Sequence, residues 1–229
     1  MRTLILSLMA SFTLGGATAS ADPVVVELFT SQGCSSCPPA DELLGDLAAR
    51  EDVLALSLHV DYWDWIGWSD TFAKPAFSER QRAYAENVRS NVVYTPQFVI
   101  GGIDQVAGVS GMKMADLLEV HGAVSKDMLR IASTADGREV VAMPGPGAGA
   151  LILVGYIPEA TVRVLAGENA GKEITYHNVV VSWDELADWN GDEVSVPIPP
   201  AAAGLRQAVI AQSAEDGRPG EILGAVRVD

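Results

Sequence analysis

The sequence predicts an α/β domain followed by a small all-β, sandwich-like domain, and three observations carry that expectation. The first is a strand, turn, helix, strand succession: the apolar β-branched run Val24 to Thr30, the turn Gly33-Cys34-Ser35-Ser36-Cys37-Pro38, a helical pattern from Ala40 to Arg50 with Leu43, Leu44 and Leu47 in register, and a second apolar run from Val53 to Val60. Such a βαβ unit implies parallel strands joined by a right-handed crossover, with Cys34 at the carboxyl end of the first strand, where open α/β sheets carry their sites. The second is a change of character after about Ile131, where short β-type runs alternate with Gly and Pro clusters. The third is length: 229 residues exceed the usual single domain of about 100 to 150, which suggests domains at 22–130 and 131–229.

Residues 1–21 read as a secretory signal peptide. Met1-Arg2-Thr3 gives a cationic head, Leu4 to Leu14 an apolar run too short to span a bilayer, and Ala19-Ser20-Ala21 a small-residue site that predicts cleavage before Asp22. The mature chain is therefore expected in the periplasm or secreted, with no membrane insertion after cleavage. A net charge of −15 argues against nucleic acid and anionic lipid as partners, because both require clustered Lys and Arg.

Export changes how the two cysteines are read. A chain that used disulfides for stability in an oxidising compartment would carry more of them, and a bridge across so short a loop removes little entropy from the unfolded state. Cys-x-x-Cys at a strand-to-helix turn within a βαβ unit is instead a redox motif.

Beyond Val60, the segment Asp61-Tyr62-Trp63-Asp64-Trp65-Ile66-Gly67-Trp68 concentrates aromatic rings that either fill core or wall a groove beside the cysteines. Ser78-Glu79-Arg80-Gln81 has the form of a capping box and predicts a helix from Ser78 to Val88. Val92 to Ile100 reads as a strand interrupted by Pro96, with Gly101-Gly102 turning into a strand from Gln105 to Val109 and a helix from Met112 to Val124. The later β-type runs are Glu139 to Ala142, Ala150 to Tyr156, Thr161 to Leu165, Glu173 to Val181, Glu193 to Ile198, Arg206 to Gln212 and Ile222 to Val228, with turn signals at Asp136-Gly137, Asn190-Gly191 and Asp216-Gly217.

This element order, with Thr95-Pro96 before the hairpin, resembles the thioredoxin fold over about Val24 to Lys126. More narrowly, the stretch Glu27 to Asp41, with His59-Val60-Asp61-Tyr62-Trp63-Asp64 and Tyr94-Thr95-Pro96-Gln97, is similar to a family of secreted bacterial thioredoxin-like proteins catalogued as a domain of unknown function. The resemblance implies a thioredoxin-like domain ahead of the sandwich-like one. It also implies a Cys34–Cys37 dithiol–disulfide pair, with Cys34 as nucleophile, Cys37 as resolving thiol and Pro96 as a cis-proline facing them, which frees the backbone of Thr95 to pair with an extended substrate. Glu27 is its candidate for the buried carboxylate that moves the proton of the resolving cysteine. Strand alternation makes a one-residue offset decisive for which face Glu27 occupies.

The expected function is thiol–disulfide exchange with a protein or small-molecule thiol or disulfide, with a redox partner protein and without a cofactor. Tyr62, Trp63, Trp65, Ser35 and Ser36 are the expected groove residues. Pro38-Pro39, Asp41 and Glu42 after Cys37 weaken the helix-terminus support of a Cys34 thiolate. Two alternatives draw on the same residues: a Cu(I) or other metal carrier using Cys34, Cys37 and His59, and a non-catalytic binding module built on the fold.

Overall fold

The computed structural model describes residues 22–124, 127–145 and 147–228. The expected signal peptide, residues 1–21, lies outside the described residues. The first βαβ unit forms from strand β1 (Val24–Thr30), helix α1 (Pro38–Ala48) and strand β2 (Val53–His59), and β1 pairs with β2 in parallel from Val24↔Val53 to Thr30↔His59. Helix α2 (Pro75–Asn87) follows, then β3 (Gln97–Ile100), β4 (Asp104–Ala107) and α3 (Gly111–Gly122). Strand β3 pairs antiparallel with β1 and β4.

The remaining strands are β5 (Leu129–Thr134), β6 (Gly137–Ala142), β7 (Gly149–Arg163), β8 (Glu173–Trp189), β9 (Val194–Ile198), β10 (Arg206–Glu215) and β11 (Arg218–Arg227). They do not stand apart as a second all-β domain. Strands β7, β8, β10 and β11 extend the first sheet into one mixed eight-stranded sheet of order β11-β10-β7-β8-β2-β1-β3-β4, while β5, β6 and β9 make a separate three-stranded antiparallel sheet. The physical reason lies in β2. It is buried along its whole length, so its free edge must be paired, and β8 supplies that pairing at Ser57↔Val179, with Asn178 Nδ2 donating to the Ala55 carbonyl at 2.9 Å. The chain is thus a mixed α/β structure with one large mixed sheet and a second, small antiparallel sheet.

Alternation along the strands sends side chains to two faces. Val26, Leu28, Val53, Ala55, Phe98 and Ile100 meet Ala40, Leu44 and Leu47 of α1 and Met114 and Leu118 of α3. The three-stranded sheet packs against Leu151, Leu153, Val209 and Ala211. On the opposite face Val25, Phe29, Leu54, Leu56 and Leu58 join Ile152, Val154 and Ile210 against Phe77 and Tyr84 of α2. No helix among the described residues is long and apolar enough to cross a membrane.

Candidate functional site

Cys34 and Cys37 form a disulfide, with their Cα atoms 5.4 Å apart, between the carboxyl end of β1 and the amino end of α1. The turn that holds them is built by backbone bonds: Cys34 N–H donates to the Ser31 carbonyl and Cys37 N–H to the Cys34 carbonyl, at 3.1 and 3.2 Å. Helix α1 starts at Pro38, where the missing N–H costs nothing, and Cys37 sits at its N-cap in right-handed helical backbone. The Cys37 carbonyl accepts from Ala40 and Asp41 N–H, which draws the residue into the first turn despite the following proline. The sulfurs are almost closed off, Cys34 at 1 % exposure and Cys37 at 0 %, whereas Ser35 and Ser36 between them are exposed.

The Thr95–Pro96 peptide bond is cis. Ser36 links this loop to the cysteines: its Oγ lies 3.3 Å from Cys34 Sγ and donates to the Thr95 carbonyl at 3.5 Å. Trp63 Nε1–H donates to Thr95 Oγ1 at 2.7 Å, so Trp63 braces the proline loop. Tyr62 donates to Gln81 Oε1 at 3.1 Å, and burial pushes its phenol up to about 12. Trp65 stands 81 % exposed. The aromatic segment therefore divides: Tyr62 and Trp63 are packed, and Trp65 faces solvent.

Glu27 is not brought to the disulfide. It points to the α2 face, where its carboxylate receives Arg80 Nε–H at 2.6 Å, Arg80 Nη2–H at 3.1 Å and the Tyr84 hydroxyl at 2.5 Å. Arg80 also stacks on Trp183 of β8, 3.9 Å from the ring centroid, and donates to Gln212 of β10 at 2.9 Å, so Glu27 anchors the two halves of the sheet. Thr30, an odd number of residues further along the strand, occupies the α1 face instead and donates to Asp41 Oδ1 at 2.8 Å. Asp41 is 2 % exposed, and burial lifts its carboxyl to about 7, with Asp70 adding to the rise and His59 and Thr30 opposing it. Sequence reasoning treated Asp41 only as a nearby charge. Its spacing of four from Cys37 was the available signal, because i and i+4 share a helix face.

His59, the third ligand of the metal alternative, is fully buried with Nδ1 2.7 Å from Asp70 Oδ2. Burial works against the Asp70 carboxylate, yet the His59 imidazole and the N–H groups of Gln32 and Phe72 hold it below the usual range. Among the described residues no group of three or more His, Cys, Asp or Glu is arranged to hold a metal ion.

The motif loop is also gripped from sites that sequence reasoning missed. Gln32 N–H donates to Asp70 Oδ2 at 2.7 Å, and its side-chain carbonyl accepts from Trp68 Nε1–H at 2.8 Å. The β7–β8 loop reaches over from the other half of the sheet: Asn169 Nδ2 donates to the carbonyls of Gln32 and Cys34, at 3.0 and 2.8 Å, and Glu168 Oε2 accepts from Ser35 N–H at 3.3 Å. Gly167, at φ +74°, lets this loop close on Trp68 and Ile66; a Cβ there would sit 3.3 Å from Trp68 Cβ. A carboxylate at Ser35 N–H adds negative charge beside Cys34, which disfavours a thiolate there.

A solved structure of an Agrobacterium tumefaciens protein, determined by X-ray crystallography as a structural-genomics target, is 33 % identical, with a TM-score of 0.79 over 91 % of this chain and 94 % of that one. HBP35 of Porphyromonas gingivalis shares the fold at 12 % identity, with a TM-score of 0.60 over 90 % of this chain and 74 % of that one. No curated protein matches the sequence. Residues 25–212, most of the chain, match a family described as protein of unknown function (DUF1223). The chain belongs to that DUF1223 family.

Proposed function

We propose that the protein is an exported thiol–disulfide oxidoreductase with a thioredoxin-like core formed by β1, α1, β2, α2, β3, β4 and α3. One observation carries this reading: the two cysteines of the chain are bridged at the amino end of α1, with Ser36 Oγ between Cys34 Sγ and the carbonyl of Thr95. The parallel β1–β2 pair, the antiparallel β3 beside it and the cis bond at Pro96 support it. A disulfide that persists suits an oxidising compartment.

In this reading a substrate thiolate attacks Cys34, forming a substrate–Cys34 disulfide and releasing the Cys37 sulfur; a second substrate thiolate then frees Cys34 as the substrate disulfide forms. In the reverse sequence the Cys34 thiolate attacks a substrate disulfide, and Cys37 then attacks Cys34 and releases the second substrate thiolate, so the substrate is reduced and the Cys34–Cys37 bridge re-forms. Cys34 is the attacked sulfur because exposed Ser35 and Ser36 follow it, while Cys37 is the fully buried N-cap of α1. Trp65 and the Thr95 backbone form the rim on which a substrate segment rests.

The experiment is catalysis of exchange between a small dithiol and a small disulfide. Wild-type protein accelerates it and Cys34→Ser does not, with both variants folded. Equal rates for the two proteins would remove the function proposed.

A further inference from the structure

The cysteine turn is flanked by a charged side chain that the exchange steps above leave unused. Glu168, in the loop between β7 and β8, is exposed, and its Oε2 accepts from the Ser35 N–H at 3.3 Å. Its Oε1 makes no hydrogen bond or ion pair among the described residues. The loop that carries it is fixed at both ends. Val164 N–H donates to the Lys172 carbonyl at 2.9 Å and Gly171 N–H to the Val164 carbonyl at 2.8 Å, while buried Asn169 pins the loop to the carbonyls of Gln32 and Cys34. The backbone of Glu168 is therefore held in place beside the disulfide before any substrate arrives.

The turn itself, Ser31 to Pro38, has no charged side chain, so its field comes from its neighbours. Lys172, the cation of the same loop, donates to Asn169 Oδ1 at 2.8 Å and lines an outer cleft with Glu42, Asp46, Glu173 and His177, where the carboxylates offset its charge. Asp64 turns its carboxylate to the Ser69 hydroxyl and the Asp70 N–H, at 2.9 and 3.0 Å. Arg82 acts on Tyr62, where it opposes the rise of the phenol. Glu168 alone presents a free carboxylate oxygen at the turn. The Ser35 nitrogen is bonded directly to the Cys34 carbonyl carbon, so that carboxylate stands within a Debye length, about 8–10 Å, of the Cys34 sulfur.

We propose that Glu168 selects substrates by charge, favouring thiols and disulfides that carry an ammonium or guanidinium group next to the reacting sulfur and disfavouring those that carry a carboxylate there. This selection rests on the exchange proposed above and names the class of its substrate. The step that reads it starts from the reduced protein. The Cys34 thiolate attacks one sulfur of a substrate disulfide, the substrate S–S bond breaks, one substrate thiolate leaves, and the other half stays bonded to Cys34. Cys37 loses its proton to water and attacks Cys34, which releases the second thiolate; the substrate gains the two electrons that the dithiol loses. A cation on the retained half pairs with Glu168 Oε1 while the bonds exchange, and a carboxylate in that place meets like charge.

Three disulfides of similar length test this on the reduced protein at low ionic strength: cationic cystamine, neutral hydroxyethyl disulfide and anionic dithiodipropionate. Their thiols differ in pKa and hence in intrinsic rate, so each probe is compared between wild type and variant, where that difference cancels. Loss of the carboxylate also favours the Cys34 thiolate, which moves all three rates together and is read from the neutral probe. A purely structural role of Glu168 likewise moves the three together. Only charge selection moves them apart.

Relative to the neutral probe, Glu168→Gln is expected to lower the cystamine rate about threefold and to raise the dithiodipropionate rate about threefold, the scale of an exposed ion pair. Glu168→Lys shifts both ratios further in the same sense. Raising the salt from about 0.01 M to about 1 M brings the wild-type ratios to those of Glu168→Gln, a reading that needs no variant. Peptide disulfides with Arg or Glu beside the cysteine separate the sources: an Arg preference that Glu168→Gln removes assigns protein cysteines, and a cystamine effect without it assigns small aminothiols. If wild type exchanges with none of the three probes, exchange falls and takes the selection with it. If it exchanges with them at ratios that neither variant nor salt moves, exchange stands and the charge selection falls.

Discussion

Asn169, in the loop between β7 and β8, donates its side-chain amide to the backbone carbonyl of Cys34 at 2.8 Å, across a sequence separation of 135 residues. The strands that read as a separate unit thus hold the cysteine turn, and Asn169 itself is fully buried in doing so.

Replacing Asn169 by Ala removes two buried hydrogen bonds, to the carbonyls of Gln32 and Cys34, and leaves the Cys34 carbonyl only the Cys37 N–H. The oxidised protein is expected to lose about 2–3 kcal/mol in urea denaturation. Because the loop then opens more often, reduction of the disulfide by dithiothreitol accelerates severalfold. Unchanged reduction at lowered stability would show that the loop does not guard the sulfurs.

The stability of the oxidised protein falls as pH rises from about 4 to 7. Asp41 has its folded carboxyl lifted from 3.8 to about 7, so between those values the folded state holds a proton that the unfolded chain has released. Stability from this group is complete below the unfolded value and is lost through the folded one, by about 4 kcal/mol at most. Asp22, lifted by burial to about 6, adds a smaller slope of the same sign because it is only half buried. Asp70, held low, acts oppositely and only in acid. Asp41→Asn is expected to flatten the fall and to be more stable than wild type at pH 8; a parallel curve in thermal melts refutes the assignment.

Glu27→Gln leaves Arg80 buried without its counter-charge and is expected to cost about 3–5 kcal/mol. Its exchange rate per folded molecule stays within about twofold, because the carboxylate lies on the α2 face and not beside the cysteines. A loss of exchange without a loss of stability would restore the proton role expected from the sequence.

Trp63→Ala removes the donor to Thr95 Oγ1 and lowers both stability and exchange with every substrate. Trp65→Ala, at an 81 % exposed site, leaves stability within about 0.5 kcal/mol and slows protein substrates more than a small dithiol. Equal slowing of both substrates by Trp65→Ala would take that residue out of the substrate rim.

Local periodicity carried most of the fold. Strand β1 and helix α1 read directly from Val24 to Thr30 and from Leu44 and Leu47, since each buries one face against the same core. Where a side chain serves a distant partner, local signals misled. Ser78 looked like a helix cap, but α2 begins at Pro75, and Ser78 is buried inside the helix with its hydroxyl bonded to Asp61 at 2.5 Å. The expected strand from Val92 shrinks to Gln97–Ile100, after the cis-proline. Two expected strands merge through Pro158 into β7, because β10 pairs only with residues 149–156 and the proline's missing N–H faces no second neighbour. Strand β5 was not foreseen. Pairing of β8 with β2 rests on one long-range bridge, which composition cannot reveal. At the site, Cys34, Cys37 and Thr95-Pro96 were legible as motifs, whereas Asp41, Asp70 and Asn169 act through contacts that only the folded chain creates.

The proposed function stands or falls on disulfide exchange between Cys34 and a substrate. Its most direct measurement uses Cys37→Ala protein exposed to an oxidised thiol substrate or to a periplasmic extract, followed by mass spectrometry under non-reducing conditions. A mixed disulfide on Cys34 is expected to accumulate, because no resolving thiol remains, and Cys34→Ala is expected not to form it. A Cys37→Ala protein that stays folded and yields no mixed disulfide would contradict the proposed function.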